Sequence, residues 1–222
     1  MPALRIAALA SGRGSNLAAL LGACVDGRID GRFVLVASDK PNCAALSLAA
    51  EAGVPTLALR PAEYADRSSF DRALFDALAA SGADLLVLAG YMRIIHPSVL
   101  VPWAGRAVNV HPSLLPLYRG LHTHAQALAA GDAEHGASVH FVTAELDGGP
   151  VLAQARISIG PDDTEATLAA RLLVHEHRLL PAVVSAIASG RIHWNEGEPT
   201  FDGRIIHTPL TLDDTGSLLD AT

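Results

Sequence analysis

The chain has 222 residues, half of them hydrophobic, and a formal net charge of -7. This is enough apolar material for one sizeable core, and an acidic chain with no Lys/Arg run is not one that grips nucleic acid by charge alone. Cys24 and Cys43 show no metal-ligand spacing and read as free thiols, and no apolar stretch is long enough for a signal peptide or a membrane helix, so a cytoplasmic protein without a membrane or nucleic-acid partner is expected.

Strand-like and helix-like stretches alternate along the first half. Leu4 to Ala10 reads as a buried strand, followed by a glycine turn and a helix from about Ser15 to Val25. Phe33 to Ser38 is the next strand, then an Ala/Leu-rich helix near Ala44 to Ala52 that Gly53 ends. Val54 to Leu59, Asp84 to Ala89 and Ala107 to Val110 read as further strands, with a helix at Ser68 to Ala80. Such a βαβα order predicts an α/β fold: a Rossmann-like, mostly parallel sheet with helices on both faces. The second half predicts an antiparallel part. Ala137 to Thr143 and Val151 to Ile159 are joined by too few residues for a helical crossover, so they form a hairpin. A long helix starts at Asp163 or Thr164, with Pro181 expected to kink it. Arg191 to Trp194 and Arg204 to His207 read as a small hairpin within 191–210, and 211–222 as a polar, frayed tail. With no repeat or linker, residues 1–222 read as a single domain with its core at about 4–190.

Ser11-Gly12-Arg13-Gly14-Ser15-Asn16-Leu17 joins the first strand to the first helix. Glycines let a backbone approach a ligand closely, and the free N–H groups of a helix start favour an anion. The plain alternative is a tight turn with Ser15 as N-cap. A dinucleotide fingerprint needs a small residue where Leu17 stands, which weakens an NAD reading, although Asp39 is a possible ribose partner. No Gly-Lys-Ser/Thr follows, against a nucleoside-triphosphate loop.

Asn109 and His111 lie two residues apart at a strand end that Pro112 terminates, so their side chains point to the same side. An amide and an imidazole there can donate to the negative oxygen of a tetrahedral intermediate. Asp147, in the turn Leu146-Asp147-Gly148-Gly149-Pro150, can hold the imidazolium and take the proton of an attacking amine. Singly, His111 is a residue before a proline and Asp147 a turn residue; together with the glycine turn they read as a site for acyl transfer. His122 and His124, with His135 or His140 as a third, have no Cys or acidic pair at matching spacing, and His175-Glu176-His177 lacks the His-Glu-x-x-His pattern, so no metal is expected.

Ser11 to Leu17, Ala89-Gly90-Tyr91-Met92-Arg93-Ile94, Asn109-Val110-His111-Pro112-Ser113-Leu114-Leu115-Pro116, Gly120-Leu121-His122-Thr123-His124 and Leu146 to Pro150 occur in this order. The chain thereby resembles the folate-dependent formyltransferases, in the phosphoribosylglycinamide formyltransferase family of purine biosynthesis. The resemblance implies transfer of the formyl group of 10-formyltetrahydrofolate, the co-substrate, to the amino group of glycinamide ribonucleotide, with no metal. It implies catalytic roles for Asn109, His111 and Asp147, a phosphate site at Gly14, Ser15 and Asn16, and a ribose contact at Glu176. It places the folate against Arg67, Met92, Arg93, Ile94, Ile95, Asn109, Thr143, Ala144, Glu145, Leu146 and Asp147, Arg67 matching the glutamate tail. A monomer or homodimer is implied. Tyr118-Arg119-Gly120, which reads like the tRNA-directed formyltransferases, and Leu173, where a polar ribose contact stands in the family, are departures.

Other readings share some of these residues. A methionyl-tRNA formyltransferase needs an added C-terminal domain and a basic surface, and a formyltetrahydrofolate hydrolase an N-terminal regulatory domain. The sequence shows no sign of the added C-terminal domain or the basic surface, and its first strand starts at residue 4, so neither enzyme is expected. Outside the class stand an NAD-dependent oxidoreductase and a non-catalytic nucleotide-binding module. Leu17 argues against the former, and the assembled Asn, His and Asp against the latter.

Overall fold

Apolar runs without alternation demand strands covered on both faces, and in a computed structural model the first half of the chain is built from them. The structure describes residues 2–195, 197–213 and 215–220, and the chain divides into two units, Met1–Asn109 and Val110–Thr222.

The first unit carries β1 (Leu4–Leu9), α1 (Ser15–Val25), β2 (Gly31–Ser38), α2 (Ala44–Glu51), β3 (Thr56–Ala58), α3 (Arg67–Ala80), β4 (Leu85–Leu88), the short α4 (Pro97–Leu100) and β5 (Ala107–His111), which runs on past the unit boundary. Its strands are parallel in the order β5-β4-β1-β2-β3. The chain first builds outward from β1 to β3, then returns to β4 on the other side of β1. The order therefore reverses between β1 and β4, and open α/β sheets place ligands beyond the strand ends at such a point. Ile6, Leu9, Leu17, Leu20 and Leu86 are fully buried on the facing layers. β3 is shorter than the expected Val54 to Leu59. It is an edge strand, and Pro55 brings no N–H to the ladder, only a carbonyl that accepts from the Val36 amide at 2.9 Å.

The second unit carries α5 (Thr123–Ala130), β6 (Glu134–Phe141), β7 (Val151–Ser158), α6 (Glu165–Ala188) and five short strands. β6 and β7 pair antiparallel, as their short separation predicts. The loop between them needs Gly149, because a Cβ there would lie 1.9 Å from the Phe141 carbonyl oxygen. Leu168, Leu172, Leu179 and Val183 form the buried stripe of α6, and the helix continues through Pro181 to Ala188. Thr164 caps it: the Thr164 hydroxyl accepts from the Thr167 amide at 3.2 Å, and the Thr167 hydroxyl accepts from the Thr164 amide at 2.8 Å. Thr164→Ala is expected to lower stability by about 1 kcal/mol, seen as a fall of a few degrees in Tm; an unchanged melting curve would show the cap to be idle.

The C-terminal region differs from the expectation. The small hairpin is a three-stranded antiparallel sheet of β8 (Ile192–Asn195), β9 (Glu198–Phe201) and β10 (Arg204–Ile205). β9 was hidden by Pro199, a residue that argues against a strand in sequence. The segment expected to fray instead carries β11 (Leu210–Leu212), parallel to β7, and β12 (Leu218–Leu219), antiparallel to β11. Leu210 and Leu218 are 1% and 4% exposed, so two apolar residues anchor a polar stretch. Of the expected tail, residues 214, 221 and 222 lie outside the described residues. Among the described residues no helix is long and apolar enough to cross a membrane.

Candidate active site

β5 ends in Asn109-Val110-His111, and its alternation sets Asn109 and His111 on one face, Asn109 half-buried and His111 5% exposed. The segment beyond is fixed by a buried polar network. Ser138 Oγ donates to the Ser113 carbonyl at 2.7 Å and accepts from the Leu115 amide at 3.0 Å, while Gln154 Nε2 donates to the Leu115 carbonyl at 2.9 Å. A satisfied network of this kind holds one geometry.

Asp147 stands in left-handed backbone at φ 47, a conformation that Asp tolerates better than most residues. Its side chain is only 10% exposed. The Gly120 amide donates to Oδ2 at 2.9 Å, His111 Nδ1 lies 3.4 Å from Oδ2, and His140 Nε2 lies 3.6 Å from Oδ1. The other nitrogen of each ring faces a carbonyl: His111 Nε2 donates to Tyr118 O at 2.9 Å, and His140 Nδ1 to Phe141 O at 2.9 Å. A carbonyl only accepts, so each neutral ring carries its proton on that nitrogen. His111 therefore meets Asp147 through the nitrogen that gains a proton on ionisation, and the carboxylate stabilises that cation.

The electrostatics run against the simplest expectation. Burial holds the His111 pKa below the ordinary imidazole value, the Tyr118 carbonyl and Asp147 pull it up, and His140 adds to the fall. Asp147 favours the imidazolium as its charge requires, but burial outweighs it. For Asp147 itself burial opposes ionisation. His140, the Gly120 amide and His111 together overcome burial and hold the carboxyl below the usual carboxylate range.

His140 and the Tyr118 carbonyl were not singled out as functional from sequence. Backbone carbonyls leave no mark in a sequence, and His140 was weighed only as a metal ligand. Tyr118-Arg119-Gly120, noted as a departure, is built into the site: Tyr118 Oη donates to Asp132 at 2.6 Å, Arg119 pairs with Glu145, and Gly120 binds Asp147. Thr143, Ala144, Glu145 and Leu146 lie in the same loop as Asp147, with Leu146 49% exposed. Glu176 is buried on α6. His124 Nδ1 lies 3.0 Å from His135 Nε2, and burial, then His124, pushes the His135 pKa down to about 4. Among the described residues no group of three or more His, Cys, Asp or Glu is placed to hold a metal.

In the first unit, Gly14 at φ 77 is the N-cap of α1, with no side-chain cap, so Ser15 is the first helical residue rather than the cap. No acidic residue enters the first turn, and the helix start stays favourable to an anion. Gly14 also packs closely: a Cβ there would lie 2.8 Å from Ala45 Cα. Beside the turn is a cavity of about 540 Å³, lined among others by Gly12, Arg13, Asp39, Lys40 and Asn42. Asp39, which lines it, is 7% exposed and accepts from Ser11 Oγ at 2.6 Å through Oδ1. Met92 and Ile94 are 66% and 56% exposed, whereas Ile95 is buried. The Arg93 guanidinium lies 5.2 Å from the Phe70 ring centroid. Arg67, the first residue of α3, and Arg93 both act on buried Asp71, whose pKa burial nonetheless raises.

Residues 4–184 match the formyl transferase family, and the chain belongs to it. Within the family it is 44% identical over 201 residues to phosphoribosylglycinamide formyltransferase of Escherichia coli K12, covering 90% of this chain and 95% of that protein. It is 45% identical over 185 residues to the enzyme of the same name from Mycobacterium tuberculosis H37Rv, covering 83% and 85%. The structure of phosphoribosylglycinamide formyltransferase from Coxiella burnetii superposes with a TM-score of 0.87 at 39% identity, over 96% of this chain and 98% of that one.

Proposed function

We propose that this formyltransferase moves the formyl group of 10-formyltetrahydrofolate to the amino group of glycinamide ribonucleotide, in purine biosynthesis. The family and the activity its relatives are named for support the reaction. The observation that carries the mechanism is the buried Asp147 carboxylate, bound by the Gly120 amide and facing His111 and His140.

The amine nitrogen adds to the formyl carbon, and the carbonyl π pair moves to oxygen, giving a tetrahedral intermediate with a negative oxygen. The Asn109 amide donates to that oxygen; His111, its Nε2 held by the Tyr118 carbonyl and its Nδ1 facing Asp147, stabilises it by the positive charge of its imidazolium, which Asp147 balances. The amine then loses a proton to Asp147 or to a water it orients, the bond from carbon to the folate nitrogen breaks, and that nitrogen takes a proton as it leaves. Gly14, Ser15 and Asn16 hold the ribonucleotide phosphate and Glu176 its ribose. Arg67, Met92, Arg93, Ile94 and Ile95, and in the second unit Thr143 to Asp147, are the folate contacts. Free Cys24 and Cys43 fit a reducing cytoplasm, and the chain acts there as a single formyltransferase domain, monomeric or as a homodimer.

Ser15→Asp places a carboxylate at the start of α1, where a bound phosphate meets like charge. Steady-state kinetics should show the KM for the ribonucleotide rising by about a hundredfold, as two close anions allow, with the KM for the folate nearly unchanged. Equal effects on both substrates would remove the phosphate assignment.

A further inference from the structure

Ser11 lies two residues past the end of β1 and meets the segments that follow the two strands on either side of it. Its amide donates to the Gly90 carbonyl, beyond β4, at 3.0 Å. Its hydroxyl donates to Asp39 Oδ1, beyond β2, at 2.6 Å and accepts from the Met92 amide at 3.1 Å. These roles follow from chemistry: a carboxylate only accepts and an amide only donates, so the single hydroxyl proton goes to Asp39 and a lone pair is left for Met92. Ser11 is 3% exposed and Asp39 7%, so water does not compete freely for either. The relay spans the point where the strand order reverses.

The segment after Gly90 is a strap held by side chains at both ends. Ser11 Oγ takes the Met92 amide, and buried Asp71 takes the His96 amide at 2.7 Å. Between these anchors Met92 and Ile94 project their apolar side chains outward. On the other side of Ser11, the chain passes through Gly12 and Arg13 into the glycine turn. One side chain thus joins the turn to the strap.

We infer that Ser11 is a positioning residue that couples binding of the two substrates. A phosphate seated on Gly14 to Asn16 settles the backbone at Ser11, and the Ser11 hydroxyl, oriented by Asp39, settles Met92 to Ile95 for the folate. This rests on the roles proposed above for those two segments.

The test is initial-rate kinetics with both substrates varied, on the wild type, Ser11→Ala and Asp39→Asn, with amide hydrogen exchange at Met92. In Ser11→Ala the KM values of both substrates should rise by about tenfold, the scale of one buried charge-assisted hydrogen bond, with kcat within about threefold of the wild type. The ribonucleotide alone should slow exchange at Met92 in the wild type and leave it unchanged in Ser11→Ala. Asp39→Asn keeps an acceptor for the hydroxyl and should fall between the two in both readouts; if Ser11→Ala fails to fold, this variant decides. An unchanged folate KM in Ser11→Ala, or ribonucleotide-induced protection at Met92 that persists at the wild-type level in both variants or is missing in the wild type, overturns the coupling. Failure of the underlying assignments looks different: Ser15→Asp then leaves ribonucleotide binding intact.

Discussion

His111→Asn is expected to abolish measurable formyl transfer while the protein stays folded. The imidazole is the one group on this β5 face that can carry positive charge toward a developing oxyanion, and Asp147 lies 3.4 Å behind it to balance that charge. Asparagine keeps an N–H of similar reach but neither the charge nor the partner. Loss of a single group that stabilises the oxyanion costs about 10²- to 10³-fold in kcat, and loss of the charge balance with Asp147 adds to it, so a fall beyond about 10³-fold is expected. His111 is buried, but its neighbours Ser113, Ser138 and Gln154 are bonded to one another and not to the ring. The fold should therefore tolerate the change, with Tm lowered by only a few degrees, consistent with about 1–2 kcal/mol. Turnover at the wild-type rate in a purified assay with the formylfolate would reject the mechanism.

Asp147→Asn carries the second large effect, and its pH signature separates it from damage to the fold. The substitution keeps size and an acceptor for the Gly120 amide but removes the negative charge. General acid–base groups are worth about 10²- to 10⁴-fold, so kcat should fall into that range. The sign of the pH change follows from the charges. Burial already holds the His111 pKa below the ordinary imidazole value, and Asp147 is one of the two influences raising it. Without that charge the His111 pKa drops further, and the limb of the kcat/KM profile that belongs to His111 moves to lower pH. Titration of the His111 ring by NMR reads the same quantity directly: below the usual imidazole value in the wild type, and lower still in Asp147→Asn. A pKa that rises, or does not move, would mean that the two groups are not coupled.

Much of the fold was legible because its signals are local. The apolar period and the glycine turn placed α1 at Ser15 to Val25, the bounds it has in the structure. The short link between the two later strands predicted the antiparallel β6 and β7. What escaped was non-local: β9 breaks a propensity rule at Pro199, and β11 is held to β7 across a long stretch of chain by pairing that composition does not record. The site divides in the same way. His111 and Asp147 were singled out by residue type and turn chemistry, and the structure brings them within 3.4 Å of each other. The Tyr118 carbonyl and the Gly120 amide, which orient them, are backbone groups that any residue supplies. His140 was hidden among ten histidines, with only its burial beside Asp147 to set it apart. The low pKa of His111 depends on burial, which no single residue announces.

The most direct measurement follows the formyl group itself. Purified protein is incubated with 10-formyltetrahydrofolate carrying a labelled formyl carbon, and with glycinamide ribonucleotide, aminoacylated initiator tRNA or buffer alone. Label is expected on the ribonucleotide amine, with no labelled tRNA and no faster release of formate than without protein. Label on tRNA, or formate released in buffer while the ribonucleotide stays unlabelled, would contradict formyl transfer to this amine.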